Sequence, residues 1–89
     1  MTTVTLHNDD QGDLYVMAWD FNMTDGQGDP MLVQDRTRLN RDKRLDVQVQ
    51  ADGNGNIHIK WWAQLTDNAD KTAEHESTDT LTNVTTFFG

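Results

Sequence analysis

From residue 45 to residue 62 the chain alternates. Leu45, Val47, Val49 and Ala51 are separated by Asp46, Gln48 and Gln50. After Asp52-Gly53-Asn54-Gly55-Asn56 the rhythm returns, with Ile57, Ile59 and Trp61 set against His58, Lys60 and Trp62. A period of two places successive side chains on opposite faces of an extended backbone, one face oily and the other wet. Gly and Asn in the middle supply the positive backbone angles that tight connections require. The pattern predicts a β-hairpin over residues 45–62. It commits the chain to antiparallel β structure.

The rest of the chain reads the same way. Residues 3–7 alternate with Val4 and Leu6 on one side, and residues 8–13 form a polar turn. In residues 14–20, Leu14, Val16 and Ala18 face one way while Tyr15, Met17 and Trp19 face the other. Apolar side chains on both faces predict a central strand, or one whose outer face is covered by a loop or partner. Residues 21–30 read as a polar connection punctuated by Gly26, Gly28 and Pro30. Residues 31–34, extending toward Arg38, make a third strand, with Pro30 tolerated at its start. Leu39 is expected to close one end of the core.

After Trp62 the periodicity weakens. Residues 67–80 are charged and short of large apolar side chains. They read as a long, mobile loop, in which the helix-like stretch 69–75 lacks an apolar stripe. Residues 81–88 form the last strand, with Leu81 and Asn83 on one face and Thr82 and Val84 on the other. The expectation is an all-β fold, a small antiparallel β-sandwich or Greek-key barrel of about six to seven strands, forming one domain over residues 1–89.

Composition narrows the chemistry. With no cysteine among 89 residues, neither a disulfide framework nor a thiolate site is available. No segment approaches the ~20 apolar residues of a membrane span. The start, Met1-Thr2-Thr3-Val4-Thr5, lacks the charged and apolar regions of a secretory signal. A cytoplasmic location is the simplest expectation; a mature secreted chain with an added Met1 would look the same.

Charge is distributed unevenly. Through Asp35 the chain carries a net −7, residues 36–44 carry +4, and the remainder −5, for a total of −8. Such a balance repels nucleic-acid phosphate and anionic membrane, so neither is an expected partner. The island of Arg36, Arg38, Arg41, Lys43 and Arg44 reads first as a solvated loop satisfied by nearby carboxylates. Its sharper reading is a docking point for an acidic ligand, or for the acidic face of a second copy.

Catalytic patterns are missing. The single serine, Ser77, follows His75 in a polar stretch with Glu74 and Glu76. A loop there cannot hold reacting groups to the tolerance catalysis needs. No nucleophile elbow, phosphate-binding glycine loop or His-Glu-x-x-His run occurs. The expectation is a non-enzymatic chain without a cofactor, calcium being the alternative. Oxygen donors crowd the turns, and Asp9, Asp10 and Asp13 are the candidate ligands. Asp52-x-Asn54-x-Asn56 copies the opening of an EF-hand loop, but Ile57 stands where glycine is required and Ala63 where the bidentate Glu belongs. His7, His58 and His75 show no metal-binding spacing.

The aromatics carry the functional reading. On the predicted alternation Trp61 joins Ile57 and Ile59 in the core, and Trp62 falls outside with His58 and Lys60. Trp19 lies with Tyr15 and Met17. An outward Trp flanked by polar groups suits a protein contact, since Trp and Tyr dominate interface hot spots, and equally a stacked sugar ring. The alternative is that both faces are covered and each Trp is simply core. The expected ligand-binding residues are Trp62, His58 and Lys60, with Tyr15 and Trp19 as the second patch. The expected role is a non-catalytic binding module that contacts a protein partner or itself as a homo-oligomer. A carbohydrate-binding domain, a calcium-binding β-domain and an acidic mimic of nucleic acid are the alternatives.

Overall fold

Seven strands in two packed sheets account for the regular structure of the computed structural model, which describes residues 1–67 and 70–84. In chain order they are β1 (Thr2–His7), β2 (Leu14–Thr24), β3 (Pro30–Leu39), β4 (Arg44–Val49), β5 (Ile59–Leu65), β6 (Thr72–Ser77) and β7 (Leu81–Asn83). One sheet has the order β4-β1-β7, the other β3-β2-β5-β6. All pairings are antiparallel except β1 with β7, which is parallel. No described residue is helical. The chain is a small β-sandwich.

Alternation places the core where the sequence predicts it. Val4 and Leu6 of β1 and Val47 and Val49 of β4 point inward from the three-stranded sheet. They meet Leu14, Val16 and Ala18 of β2 and Ile59, Trp61, Ala63 and Leu65 of β5. Leu39 is 3% exposed and closes one end of this layer. Each fully buried Leu, Ile or Val contributes on the order of 1.5–3 kcal/mol. With no disulfide, this layer and the strand pairing hold the fold.

The predicted hairpin over residues 45–62 is not one. β4 pairs with β1 in one sheet, whereas β5 pairs with β2 and β6 in the other. The segment is therefore an arch that carries the chain across the core. The turn itself forms as its residues dictate: Asp52 N–H donates to the Asn56 carbonyl at 2.8 Å and Gly55 N–H to the Asp52 carbonyl at 3.0 Å, with Gly55 at φ 82°. What separates the flanking strands is β2. The Asp20 carboxylate, fully buried, accepts Gln50 N–H at 2.7 Å and Asn22 N–H at 2.9 Å. Asn22 Nδ2 donates to the carbonyls of Gln50 and Asn56. Backbone groups that a hairpin would pair with each other are taken by β2 instead.

Three boundaries also differ from the sequence reading. β2 runs on to Thr24, so the polar connection shrinks to residues 25–29. The expected mobile loop over residues 67–80 contains strand β6. Its outward Glu74 and Glu76 carry no apolar signal, because an edge strand lying beyond the core buries little. Residues 72–75 of the helix-like stretch are therefore extended. The last strand covers Leu81–Asn83, followed by buried Val84; residues 85–88 of the predicted strand lie outside the described residues, as do Asn68 and Ala69. No described helix is long and apolar enough to cross a membrane.

Candidate functional site: the outer face of the four-stranded sheet

Every second residue of β2 and β5 points away from the core. On β2 these are Tyr15, Met17, Trp19 and Phe21; leading into and along β5 they are His58, Lys60, Trp62 and Gln64. The register sets Tyr15 beside Gln64, Met17 beside Trp62 and Trp19 beside Lys60. The two patches that the sequence offers as alternatives, Trp62-His58-Lys60 and Tyr15-Met17-Trp19, are thus adjacent columns of one surface. All of these side chains are half-buried.

Three rings on this face are each covered by a neighbouring side chain, two of them by a cation and one by an imidazole. The Arg36 guanidinium lies 3.9 Å from the centre of the Tyr15 ring and donates to Gln64 Oε1 at 3.2 Å. Lys60 Nζ sits 5.0 Å above the Trp19 ring and 3.3 Å from a Glu74 carboxylate oxygen. The His58 ring stacks on Phe21 at 4.4 Å and 19°, with Nε2 3.0 Å from Glu76 Oε2. Each such contact is worth about 0.5–1 kcal/mol at a wet surface, enough to hold a ring in one orientation. The rung between them differs. Among the described residues no cation lies over Trp62, so Met17 and Trp62 form an apolar spot inside a charged frame.

Two shallow depressions adjoin the frame. One, of about 290 Å³, is lined by Phe21, Lys60, Glu74, His75 and Glu76. The other, of about 260 Å³, is lined by Trp19, Phe21, Asp29, Pro30 and Lys60. They share Phe21 and Lys60. Both fall below the ~300–1,000 Å³ usual for an enclosed small-molecule site, and suit a ligand laid across the surface.

The opposite outer face, on the three-stranded sheet, is built from different material. Thr5 Oγ1 donates to Asp46 at 2.8 Å, Gln48 Nε2 to Thr3 Oγ1 at 2.9 Å, and the His7 ring bridges Asn83 and Asp42. It presents short polar groups already bonded to one another.

The acidic turn before β2 serves the fold. Buried Asn8 donates through Nδ2 to the Gly12 and Leu39 carbonyls and accepts Asp10 N–H through Oδ1. Nothing in the sequence marks it out from the other turn asparagines. Asp10 is buried and accepts Gln11 N–H, while Asp9 is exposed. Asp13 accepts Arg41 N–H through one oxygen and the Arg38 guanidinium through the other, both at 2.8 Å. The backbone hydrogen bond from Arg41, and then Arg38, hold its carboxyl below the usual range. Of the three candidate calcium ligands, Asp9 and Asp10 line one depression with Asn8, Gln11, Arg41 and Asp42, while Asp13 is bonded to Arg38 and Arg41. Among the described residues no three His, Asp or Glu side chains form a metal-binding group.

The basic island is divided as well. Arg36 and Arg38 lie on β3 beside the aromatic face, and Arg38 pairs with Asp13. Arg44 begins β4, across from His7 on the other sheet. Of the island's five bases only Arg41 and Lys43 lie in the loop that the composition suggests. Of the serine and histidine near β6, Ser77 Oγ accepts Asp79 N–H and His75 stacks on Trp61 at 4.6 Å. No protein-family model, curated protein or solved structure matches this chain.

Proposed function

We propose that the protein is a non-catalytic binding module that contacts a protein partner, or a second copy of itself, through the outer face of the four-stranded sheet. The observation that carries this reading is the Met17–Trp62 rung, half-buried and, among the described residues, with no cation over it, between rungs that each carry one. An apolar centre ringed by polar groups that exclude water is the arrangement in which a few residues supply most of a binding energy. A Trp at such a centre typically accounts for 2 kcal/mol or more, about 30-fold in affinity.

Sedimentation across a concentration series tests the self-association arm. The expected result is a mass rising above the 10.2 kDa chain, reverting to it on Trp62→Ala while Thr3→Ala on the opposite face has no effect. A mass fixed at one chain throughout removes that arm and leaves a different protein as the partner. A carbohydrate is the second reading. It is favoured by the two adjoining depressions, where Trp19 and Phe21 meet the Asp29 carboxylate in one and Phe21 meets those of Glu74 and Glu76 in the other. Tryptophan fluorescence that stays flat across a glycan panel eliminates it.

A further inference from the structure

We propose that Asn54 is a site of spontaneous deamidation, in which its side chain closes onto the backbone nitrogen of Gly55. Of the seven asparagines in the chain, Asn54 alone precedes glycine. The following residue matters because its nitrogen must reach the asparagine γ-carbon, and a side chain there obstructs the approach. At Gly55 nothing lies within 4 Å of where a Cβ would stand.

The structure discriminates among the neighbouring candidates. Asp25 and Asp52 also precede glycines, but each offers a carboxyl group, with no amide to lose as ammonia, and its Oδ1 accepts two backbone N–H groups. Asn54 is exposed, and among the described residues its side-chain amide makes no hydrogen bond. Gln27 occupies the matching position of the 25–29 turn, one methylene longer, so its closure would form a six-membered ring instead of a five-membered one. The molecule carries its own control.

The step balances without any co-reactant but water. Gly55 N bonds to Asn54 Cγ, the Cγ–Nδ2 bond breaks, and ammonia leaves with the proton from the Gly55 amide. Water then opens the succinimide at either carbonyl. One product is an aspartyl residue; the other is an isoaspartyl residue whose backbone runs through Cβ. Gly55 N–H is engaged by the Asp52 carbonyl at 3.0 Å, so closure proceeds from a momentary opening of this turn. Exposed loop tips open most readily. Either product adds a negative charge to a chain already at −8. The isoaspartyl form also inserts a backbone atom into a turn that closes between Asp52 N and the Asn56 carbonyl at 2.8 Å, and so loosens the arch joining the two sheets.

The test is incubation of the folded full chain in mildly alkaline buffer, followed by peptide mapping with fragmentation that separates aspartyl from isoaspartyl residues. The expected result is conversion at position 54 ahead of every other asparagine, with Gln27 unchanged and the signal lost in Asn54→Gln. Aged protein should also melt below Asn54→Asp, since only the former contains the lengthened backbone. An Asn54 that stays intact in the folded chain, while the urea-unfolded chain converts there, overturns the proposal. So does earlier conversion at another asparagine.

Discussion

Residues 25–29 and 52–56 make the same turn and lead to different places. Both run Asp-Gly-x-Gly followed by Asp or Asn. In both, the first residue's N–H donates to the last residue's carbonyl, at 2.9 and 2.8 Å, and the fourth residue, a glycine, donates back to the first residue's carbonyl at 3.1 and 3.0 Å. In both, one aspartate oxygen accepts two backbone N–H groups, and the glycine sits at φ 84° or 82°. Yet the first turn joins β2 to β3 as neighbours in one sheet, and the second sends β4 and β5 into opposite sheets. The difference lies outside the turns. Turn chemistry reverses the chain; the groups offered by the rest of the fold decide what the emerging strands pair with.

That contrast can be broken most forcefully at Asp20. Asp20→Ala leaves the N–H groups of Gln50 and Asn22 without their acceptor in a part-buried corner, at an expected cost of about 2 kcal/mol in denaturant unfolding. Asp20→Asn should cost nearly as much, because the N–H groups meet different carboxylate oxygens and one would then face an NH₂. An Asp20→Ala protein as stable as the parent would show that the arch is held by the core alone.

The glycines sharpen the comparison. Gly28→Ala and Gly55→Ala should each cost about 1–2 kcal/mol, since both demand a left-handed backbone in otherwise open space. Equal melting shifts are expected. A clearly larger loss at Gly55 would mean that the arch strains its turn. Exchanging the two five-residue sequences should then change stability by less than about 0.5 kcal/mol and leave the sheet order intact, checked by backbone amide spectra. A rearranged pairing would show that these residues do select the partner strand.

The smallest effect concerns the carboxylate at the other end of β2. Asp13 accepts Arg41 N–H much as Asp25 and Asp52 accept their own loops, but it also holds Arg38. Because its folded pKa lies below the ordinary 3.8, its contribution is present above that value and is lost as pH falls through the folded one. Carboxyl NMR titration should find Asp13 ionising below the ordinary 3.8, with Arg38→Ala moving it back upward. An unchanged midpoint in that variant would leave the Arg41 N–H as the whole cause.

Much of the architecture is legible in the residues, and its gaps have physical causes. The inward sets Val4-Leu6, Leu14-Val16-Ala18 and Ile59-Trp61 fall on the core as their spacing demands, because a two-residue period can be satisfied only by burying one face. The outward placement of Trp62, Lys60 and His58 follows from the same rule. β6 escaped detection because an edge strand needs no apolar residues of its own; its Glu74 and Glu76 find Lys60 and His58 across the sheet. The structural role of Asn8 was equally hidden, since the three partners of its side chain include Leu39, 31 residues away.

By itself the sequence determined that most of this chain is extended, which side of β1, β2, β4 and β5 faces the core, and where the 8–13 and 52–56 turns fall. These properties depend on neighbours within a few residues. Only the tertiary structure decided that β4 and β5 join opposite sheets instead of lying side by side, and that two separate aromatic segments form one surface. Alternation specifies which way a side chain points but not which strand lies beside it. That choice was made by backbone groups of residues 50–56 meeting Asp20 and Asn22, side chains about 30 positions earlier in the chain.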